Sequence, residues 1–166
     1  MNTAILIPTL KQGGAEKQAA LLAATLTKHH HVDIFLLYGI DSIAPQNKEI
    51  IDQANVTIHS LSGGMISKLF RLKREFKTRK IDIIFNYLTS CNVVGALAGR
   101  MAGVRRIYGG IRNTSLEWHK HIADMLTHNL ISTGTIYNCH SGLTHFTSKG
   151  FRKRNNIVIP NGFIDI

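Results

Sequence analysis

The chain has 166 residues, 44% of them hydrophobic, with 20 Lys and Arg against 10 Asp and Glu and a formal net charge of +10. This composition suits one globular domain, and two widely separated cysteines, Cys91 and Cys139, exclude a disulfide framework. No apolar run is long enough to cross a bilayer and no basic stretch precedes the first one, so we expect neither a membrane span nor a signal peptide. The positive charge favours an anionic partner, such as a nucleotide, nucleic acid or anionic lipid.

Short apolar runs alternate with segments of helical spacing along the whole chain. This pattern predicts strands at residues 4–8, 32–38, 56–61, 81–87, 105–108, 134–138 and 157–160. It predicts helices at residues 15–28, 45–54, 65–80, 90–102, 115–130 and 142–149. Gly103 and Gly150 stand where helix C-caps are expected. The alternation indicates an α/β fold, a Rossmann-like and mostly parallel sheet with helices on both faces.

Gly13 and Gly14 stand between the first predicted strand and the first predicted helix. Glycine lets another group approach the backbone closely, and a helix N-terminus leaves several N–H groups without partners. A phosphate group binds readily at such a point. Two interpretations stay open, because the glycines could bind an anion or could only make a tight turn.

Ligands of parallel α/β sheets bind beyond the carboxyl ends of the strands, so the loops there are the candidate site. The loops after the fourth to sixth strands contain Asn86, Ser90, Gly109, Gly110, Arg112, Asn113, Asn138 and Ser141. Gly109 and Gly110 are predicted to follow the fifth strand, as the start of its loop. Arg112 offers a rigid fork of donors suited to phosphate or carboxylate, and a structural ion pair with a nearby acid stays open as its alternative role.

Several enzyme classes with related folds lack their signatures here. The first loop has no Gly-x-Gly-x-x-Gly fingerprint of a nicotinamide enzyme, and the chain has no P-loop Gly-Lys-Ser/Thr and no Gly-x-Ser-x-Gly nucleophile elbow. No carboxylate cluster marks a metal-bound nucleotide, and His119 and His121 point in different directions on a helix. We therefore expect no metal and no cofactor.

The last residues, NNIVIPNGFIDI at 155–166, resemble the closing strand and hinge of the first domain in retaining glycosyltransferases of family 4. In that family a strand runs into Pro-Asn-Gly and then an Asp, here Pro160, Asn161, Gly162 and, one place later than usual, Asp165. The resemblance extends over the whole chain, with its motifs in the family's order.

Three further motifs carry this resemblance. GGAE at 13–16 is similar to the family's glycine loop, and GGIRN at 109–113 is similar to a loop of its capsule and lipopolysaccharide transferases. Several members have a histidine where Arg112 and Asn113 stand here. Asn138 and Ser141 resemble an Asn-Ser pair that opens a helix, which Cys139-His140 interrupts in this chain.

The resemblance implies a GT-B architecture of two Rossmann-like domains, of which residues 1–166 would be the single N-terminal, acceptor-side domain. The donor-binding C-terminal domain would be absent, so this part alone would be inactive. The whole enzyme would be a hexosyltransferase that moves sugar from a nucleotide-diphosphate donor to a glycan or lipid-linked acceptor in surface polysaccharide synthesis. It would be cytoplasmic and peripheral on the inner face of the membrane.

From the loops and this resemblance together we assign roles to the candidate residues. Gly13 and Gly14 would face the donor diphosphate. The acceptor side would be lined by Asn86, Ser90, Arg112 and Asn113, with Arg112 also the candidate catalytic residue. Pro160, Asn161 and Gly162 would form the hinge.

The segment KLFRLKREFKTRK at 68–80 supports an alternative function. It places seven Lys and Arg among Leu69, Phe70, Leu72 and Phe76. Such a helix could follow the phosphates of a nucleic acid, lie on an anionic membrane, or bury an apolar stripe and expose a solvated basic side. No helix-turn-helix, zinc spacing or base-stacking motif accompanies it. A nucleic-acid- or anionic-surface-binding module stays the alternative to the transferase.

Overall fold

The computed structural model describes residues 1–39, 43–112 and 116–161, within which strands and helices alternate. The strands are β1 (Asn2–Ile7), β2 (His31–Leu36), β3 (Thr57–Ser60), β4 (Ile83–Tyr87), β5 (Arg106–Ile111), β6 (Gly134–Tyr137) and β7 (Asn156–Val158). The helices are α1 (Gly14–Leu26), α2 (Pro45–Gln53), α3 (Met65–Thr78), α4 (Leu88–Ala102), α5 (Trp118–Leu130) and α6 (His140–Ser148). Every element predicted from the sequence is confirmed, and no end differs by more than three residues.

One parallel sheet forms the centre of the protein, with the strand order β3-β2-β1-β4-β5-β6-β7. Every neighbouring pair is parallel, so all strands end at one edge of the sheet, which we call the carboxyl edge. Because crossovers between parallel strands are right-handed, α1 and α2 lie on one face, the α1 face, and α3 to α6 lie on the other, the α4 face. The predicted Rossmann-like α/β fold with helices on both faces is confirmed.

Alternate residues of the strands pack into two apolar layers. On the α1 face, Ile5 and Ile7 of β1 share a cluster with Ala19 and Ala23 of α1. On the α4 face, Leu6 shares a cluster with residues of α3 and α4, namely Leu72, Phe76, Cys91, Val94, Ala96 and Ala98. Burial on both faces is typical of parallel sheets. The two apolar layers fix the central strands, and therefore also the positions of their ends at the carboxyl edge.

β5 is longer than predicted, and this corrects the assignment of Gly109 and Gly110. The prediction that the pair lies in the loop after the strand is wrong, because both residues pair with β4 within β5. A Cβ on Gly109 would lie 3.0 Å from Nδ1 of His128, and one on Gly110 would lie 2.9 Å from the carbonyl oxygen of Asn86. Gly109 thus makes room for the ring of His128 on α5, and Gly110 makes room for the backbone of β4.

Two other glycines end helices as predicted. Gly103 follows α4 as its C-cap with a φ of 82°, and Gly150 follows α6 with a φ of 98°. Both values lie in the left-handed region that glycine adopts without a Cβ penalty. These two residues return the chain toward β5 and β7.

Candidate functional site

The carboxyl edge gathers the loops that contain the candidate residues. α1 begins here after β1, α4 follows β4 without a loop, and Arg112 follows β5 directly. Pro160 and Asn161 come just after β7. Asn113 and Gly162, which were predicted to contact the acceptor and to form part of the hinge, lie outside the described residues. The described candidates therefore share the edge at which open α/β sheets bind ligands.

Gly14 is the first residue of α1 and Gly13 is its N-cap. Because Gly13 has no side chain, it does not cap the N–H groups of the first turn. A Cβ on Gly13 would collide with the carboxylate of Glu16, whereas a Cβ on Gly14 would have no atom within 4 Å. The φ of Gly14 is outside the left-handed region, so neither space nor backbone conformation in the free protein requires glycine there. The turn-only interpretation thus leaves Gly14 unexplained, and anion binding stays the prediction for this position.

Arg112 has no acidic partner within the described part of the chain. Its guanidinium lies over the ring of Tyr87, with Cζ 4.7 Å from the ring centroid, and its Nη1 donates to Oδ1 of Asn161 at 2.7 Å. Burial raises the pKa of Tyr87 above its ordinary value of 10.0, against the lowering effect of the guanidinium. The charge of Arg112 is oriented at the edge without being neutralised, which fits a site for an anion.

A buried polar network fixes the backbone just before Arg112. Asn92 of α4 donates to the carbonyl oxygen of Gly110 and accepts from its N–H, each at 3.1 Å. Asn92 also donates to Oδ1 of Asp124 at 2.9 Å, and Thr89 donates to Oδ2 at 2.7 Å. Burial raises the pKa of Asp124 above its ordinary value of 3.8, and these two hydrogen bonds oppose the rise. The network ties β5 to α4 and α5 beside the candidate site.

Sequence reasoning missed Thr89, Asn92 and Asp124. The available signal for Asp124 was its spacing from Thr127 and His128, which puts three polar residues on one side of α5. All three are buried, with Asp124 2% exposed. A polar side that faces inward needs partners, and those of Asp124 and His128 lie on α4 and β6.

A cavity of about 330 Å³ opens on the α1 face, between α1 and strands β4 to β6. Its walls are mostly apolar and include Leu21, Leu22, Phe85, Tyr87, Tyr108, Ile136, Ile159 and Pro160. The rings of Phe85 and Tyr108 stack with centroids 5.6 Å apart. Gln18, one turn beyond Gly14, and Arg112 border the same cavity. The part of α1 from Gln18 onward and the guanidinium of Arg112 therefore face one space.

Asn86 and Ser90, the other predicted acceptor contacts, occupy different positions. The side chain of Asn86 is 1% exposed and donates to the carbonyl oxygen of Tyr108 at 3.3 Å. It lies against α4, since a Cβ on Gly95 would meet its amide oxygen. Ser90 is partly exposed in the first turn of α4, which begins at Leu88 with a φ of 68°. Asn86 thus borders the cavity from within the sheet, whereas Ser90 is accessible at the edge.

Cys139 takes the capping position that the resemblance gave to an Asn-Ser pair. It is the N-cap of α6, and its Sγ accepts from the N–H of Gly142 at 3.4 Å and lies 3.2 Å from Oγ of Ser141. The contacts with Ser141 and Gly142 lower the pKa of this thiol below its ordinary value of 9.0. Ser141 therefore contributes to the capping of α6.

The sheet and its edge define the class of fold, a Rossmann-like domain of the GT-B type. No family model matches the chain. The chain is similar to Anabaena Alr3699/HepE, solved in complex with UDP-glucose, with a TM-score of 0.80 and 20% identity over 98% of this chain and 44% of that chain. It is also similar to the lipopolysaccharide outer core galactosyltransferase WaaB in its apo form, with a TM-score of 0.72 and 10% identity over 98% of this chain and 46% of that chain.

The similarity also extends to another class of enzyme and to one protein sequence. The UDP-GlcNAc 2-epimerase of Methanocaldococcus jannaschii has a TM-score of 0.63 and 15% identity over 97% of this chain and 46% of that chain. In sequence, 98 residues are 28% identical to the GalNAc-alpha-(1->4)-GalNAc-alpha-(1->3)-diNAcBac-PP-undecaprenol alpha-1,4-N-acetyl-D-galactosaminyltransferase of Campylobacter jejuni, covering 56% of this chain and 27% of that protein. The structural likeness shows the fold alone, and the chain spans less than half the length of each of these proteins.

Proposed function

We propose that residues 1–166 form the acceptor-side domain of a glycosyltransferase that moves a sugar from a nucleotide-diphosphate donor to a glycan or lipid-linked acceptor. The observation that carries this proposal is the presence of Gly14 and Arg112 at one edge. Gly14 opens a helix N-terminus to solvent, and Arg112 is a cation without an acidic partner among the described residues. Arg112 and Gln18, which is four residues after Gly14, line a cavity large enough for part of a substrate.

The comparisons support the same class of reaction. The Campylobacter relative is named as a GalNAc transferase for an undecaprenol-diphosphate-linked glycan, and WaaB is named as a galactosyltransferase. HepE was solved with UDP-glucose, which supports a uridine diphosphate sugar as the donor. An acceptor carried on a lipid diphosphate would bring a second anionic group to this edge.

The chemistry of such a transfer fits the two groups. Departure of the nucleoside diphosphate concentrates negative charge on its phosphates. The N–H groups at the start of α1, near Gly13 and Gly14, would point at that charge with the positive end of the helix dipole. Arg112 would hold a phosphate of the donor or of the acceptor through two parallel hydrogen bonds. Oriented donors of this kind stabilise the transition state because they need no reorganisation during the reaction.

The finer assignments rest on the sequence motifs. The Pro160-Asn161-Gly162 ending and the GGAE loop support a retaining enzyme of family 4, in which these three residues lead to a donor-binding domain outside residues 1–166. The GGIRN loop supports a role in capsule or lipopolysaccharide synthesis. We assign acceptor contacts to Ser90, Arg112 and Asn113, and to Asn86 where it borders the cavity.

Acceptor-dependent transfer of a labelled sugar tests the proposal. The protein assayed is the longer one in which a donor domain follows residues 1–166, supplied with labelled UDP- and GDP-sugars and with glycans on undecaprenyl diphosphate. We expect labelled lipid-linked product only when donor and acceptor are both present. An epimerase on this fold would instead change C2 of UDP-GlcNAc without any acceptor, and that result would overturn the transferase. A nucleic-acid-binding module would consume no sugar nucleotide.

A further inference from the structure

The outer side of α5 has an unusual distribution of side chains. Four large apolar residues spaced four apart are exposed on it, namely Trp118 at 76%, Ile122 at 43%, Leu126 at 48% and Leu130 at 77%. The opposite side, which faces the sheet, carries the buried polar residues Asp124, Thr127 and His128. A helix on the surface of a soluble protein ordinarily has the reverse arrangement. The apolar stripe therefore has no role in the core of this domain.

The stripe continues onto the two neighbouring helices of the α4 face. α4, which packs against α5, exposes Leu97 at 37% and Met101 at 43%. α3, which packs against α4, exposes Ile66 at 74% and Phe70 at 55%. We call these exposed apolar residues of α3, α4 and α5 together the outer helical surface. Large exposed apolar surfaces mark places of interaction rather than plain solvent-facing sides.

The charges on the same three helices are almost all positive. Exposed basic residues without an acidic partner among the described residues accompany the apolar ones, namely Arg71, Arg74, Lys77 and Arg100. The acids nearby are already paired or buried, since Glu75 pairs with Arg79 at 3.0 Å, and Glu117, just before α5, pairs with Lys120 at 3.0 Å. Exposed apolar side chains among unpaired Lys and Arg are typical of helices that lie on an anionic membrane surface.

Charge and chemistry select among the possible partners. A second copy that docked through the same surface would bring two sets of unpaired basic residues together, because a symmetric interface uses the same patch twice. A nucleic acid could stack bases on Trp118 and Phe70, but it would leave the aliphatic side chains of Ile122, Leu126 and Leu130 without a partner. An anionic phospholipid bilayer can contact both kinds of residue. Its headgroups pair with the basic residues, and the apolar residues enter the boundary between headgroups and acyl chains.

We propose that the outer helical surface docks on an anionic phospholipid bilayer, with α3, α4 and α5 lying along the membrane. None of the helices in the described residues is long and apolar enough to cross a bilayer, so this binding is peripheral. Trp118 is six residues after Arg112, and docking brings the carboxyl edge close to the membrane. The proposal rests on exposure and charge, and it stands whether or not the chain belongs to a glycosyltransferase.

Trp118 is the single tryptophan of the chain, and it reports the docking directly. The 166-residue chain is titrated with vesicles of phosphatidylcholine alone and of phosphatidylcholine with phosphatidylglycerol. We expect the emission of Trp118 to shift to shorter wavelength, and to be quenched by bromine-labelled acyl chains, with the anionic vesicles only. Flotation of the chain with anionic vesicles while Trp118 emission stays unchanged would overturn the proposed orientation.

Matched variants separate this surface from the general positive charge. Arg74→Gln with Lys77→Gln should weaken partition to anionic vesicles about tenfold or more, because each basic residue at the surface contributes severalfold. The control, Lys153→Gln with Arg154→Gln, makes the same change of net charge at exposed positions after α6 and should weaken it less than about twofold. Equal losses in the two pairs would contradict the proposal.

The apolar contribution has its own matched pair. Ile122 and Ile157 are 43% and 42% exposed, and Ile157 lies in β7, off the outer helical surface. Ile122→Gln should reduce partition severalfold, and Ile157→Gln should leave it unchanged, with circular dichroism as the check that both fold. Two further results would overturn the proposal, namely a dimer in sedimentation velocity that Leu126→Gln with Leu130→Gln dissociates, or preferential binding of duplex DNA at physiological salt.

Discussion

Arg112 is held at the carboxyl edge by two contacts, the ring of Tyr87 at 4.7 Å and the amide oxygen of Asn161 at 2.7 Å. Each contact of this kind at a partly exposed position contributes about 1 kcal/mol or less to folding. The side chain is therefore oriented without being essential for stability. The role of Arg112 in activity can therefore be measured apart from its role in folding, because a substitution can lower activity without lowering stability.

We expect Arg112→Lys to lower kcat/KM of the transferase about tenfold or more, since a point charge replaces a fork that can hold a phosphate with two hydrogen bonds. The melting temperature should stay within a few degrees of that of the parent protein, because the contacts with Tyr87 and Asn161 are weak. Arg154→Lys, on an exposed loop, is the control for a general effect of the exchange. A clear drop in melting temperature with normal turnover of the folded enzyme would assign Arg112 a structural role.

Gly14 gives a second prediction at the scale of one residue. A Cβ here meets no atom within 4 Å, so Gly14→Val should fold like the parent protein. It should lose donor turnover in the longer enzyme, because the added side chain blocks a phosphate from the N–H groups of α1. Gly64, the N-cap of α3, has equal space around it, and Gly64→Val is the control that should keep full activity. Equal turnover by both variants would leave the glycine loop without a role in binding.

Among the elements, α5 shows which parts of the structure could be predicted from the sequence. Apolar spacing predicted every helix and strand, because core burial imposes periods of two and 3.6 residues on most of the chain. The same rule places the apolar side of α5 inward, whereas the structure buries its polar side. The partners of that polar side, Thr89 and Asn92 on α4 and Thr135 on β6, are known only once the helices pack.

The end of β5 was missed for a related reason. Gly109 and Gly110 have low strand propensity, so the apolar run ended at Tyr108, and only the ring of His128 explains why glycine is needed within the strand. At the site, the rule for strand ends located Arg112 and Gly14 correctly at the carboxyl edge. The burial of Asn86 could not be anticipated, because it depends on how closely α4 approaches the sheet at Gly95.

His128 links α5 to the sheet and makes this packing sensitive to acid. Its Nδ1 lies 2.9 Å from Oγ1 of Thr135, and burial, with a smaller effect of Arg152, lowers its pKa from 6.5 to about 3. The folded protein therefore stays unprotonated at His128 while the unfolded chain binds a proton below pH 6.5. The contribution of His128 to the free energy of unfolding falls as pH drops from 6.5 toward 3, by about 2 kcal/mol at pH 5.

The matched variant for this prediction is His128→Asn, which keeps a polar group near Thr135 but cannot titrate. Urea unfolding at pH 7 and pH 5 should give the parent the larger loss of free energy of unfolding. The variant should be less stable at pH 7, because its smaller side chain leaves space beside Gly109. Equal losses between the two pH values in parent and variant would show that His128 does not carry the acid sensitivity.

At the scale of the whole molecule, the chain matches less than half of the length of each relative, and the carboxyl edge offers few fixed donors beside its cavity. An exposed helix N-terminus favours an anion by roughly 0.3–1 kcal/mol. A dissociation constant of 1 mM already corresponds to about 4 kcal/mol. The glycine loop and Arg112 alone are therefore too few to hold a sugar nucleotide tightly, and most of that binding is assigned to a second domain.

Calorimetric titration of the 166-residue chain tests this division of the site most directly. One arm uses UDP- and GDP-sugars, and the other uses a short-chain polyprenyl diphosphate that carries a glycan, with Arg112→Lys as the variant in both arms. We predict millimolar or weaker binding of every sugar nucleotide, together with binding of the acceptor analogue that Arg112→Lys weakens. A low-micromolar dissociation constant for any sugar nucleotide would mean that this domain holds the donor by itself, which contradicts its assignment as the acceptor-side domain.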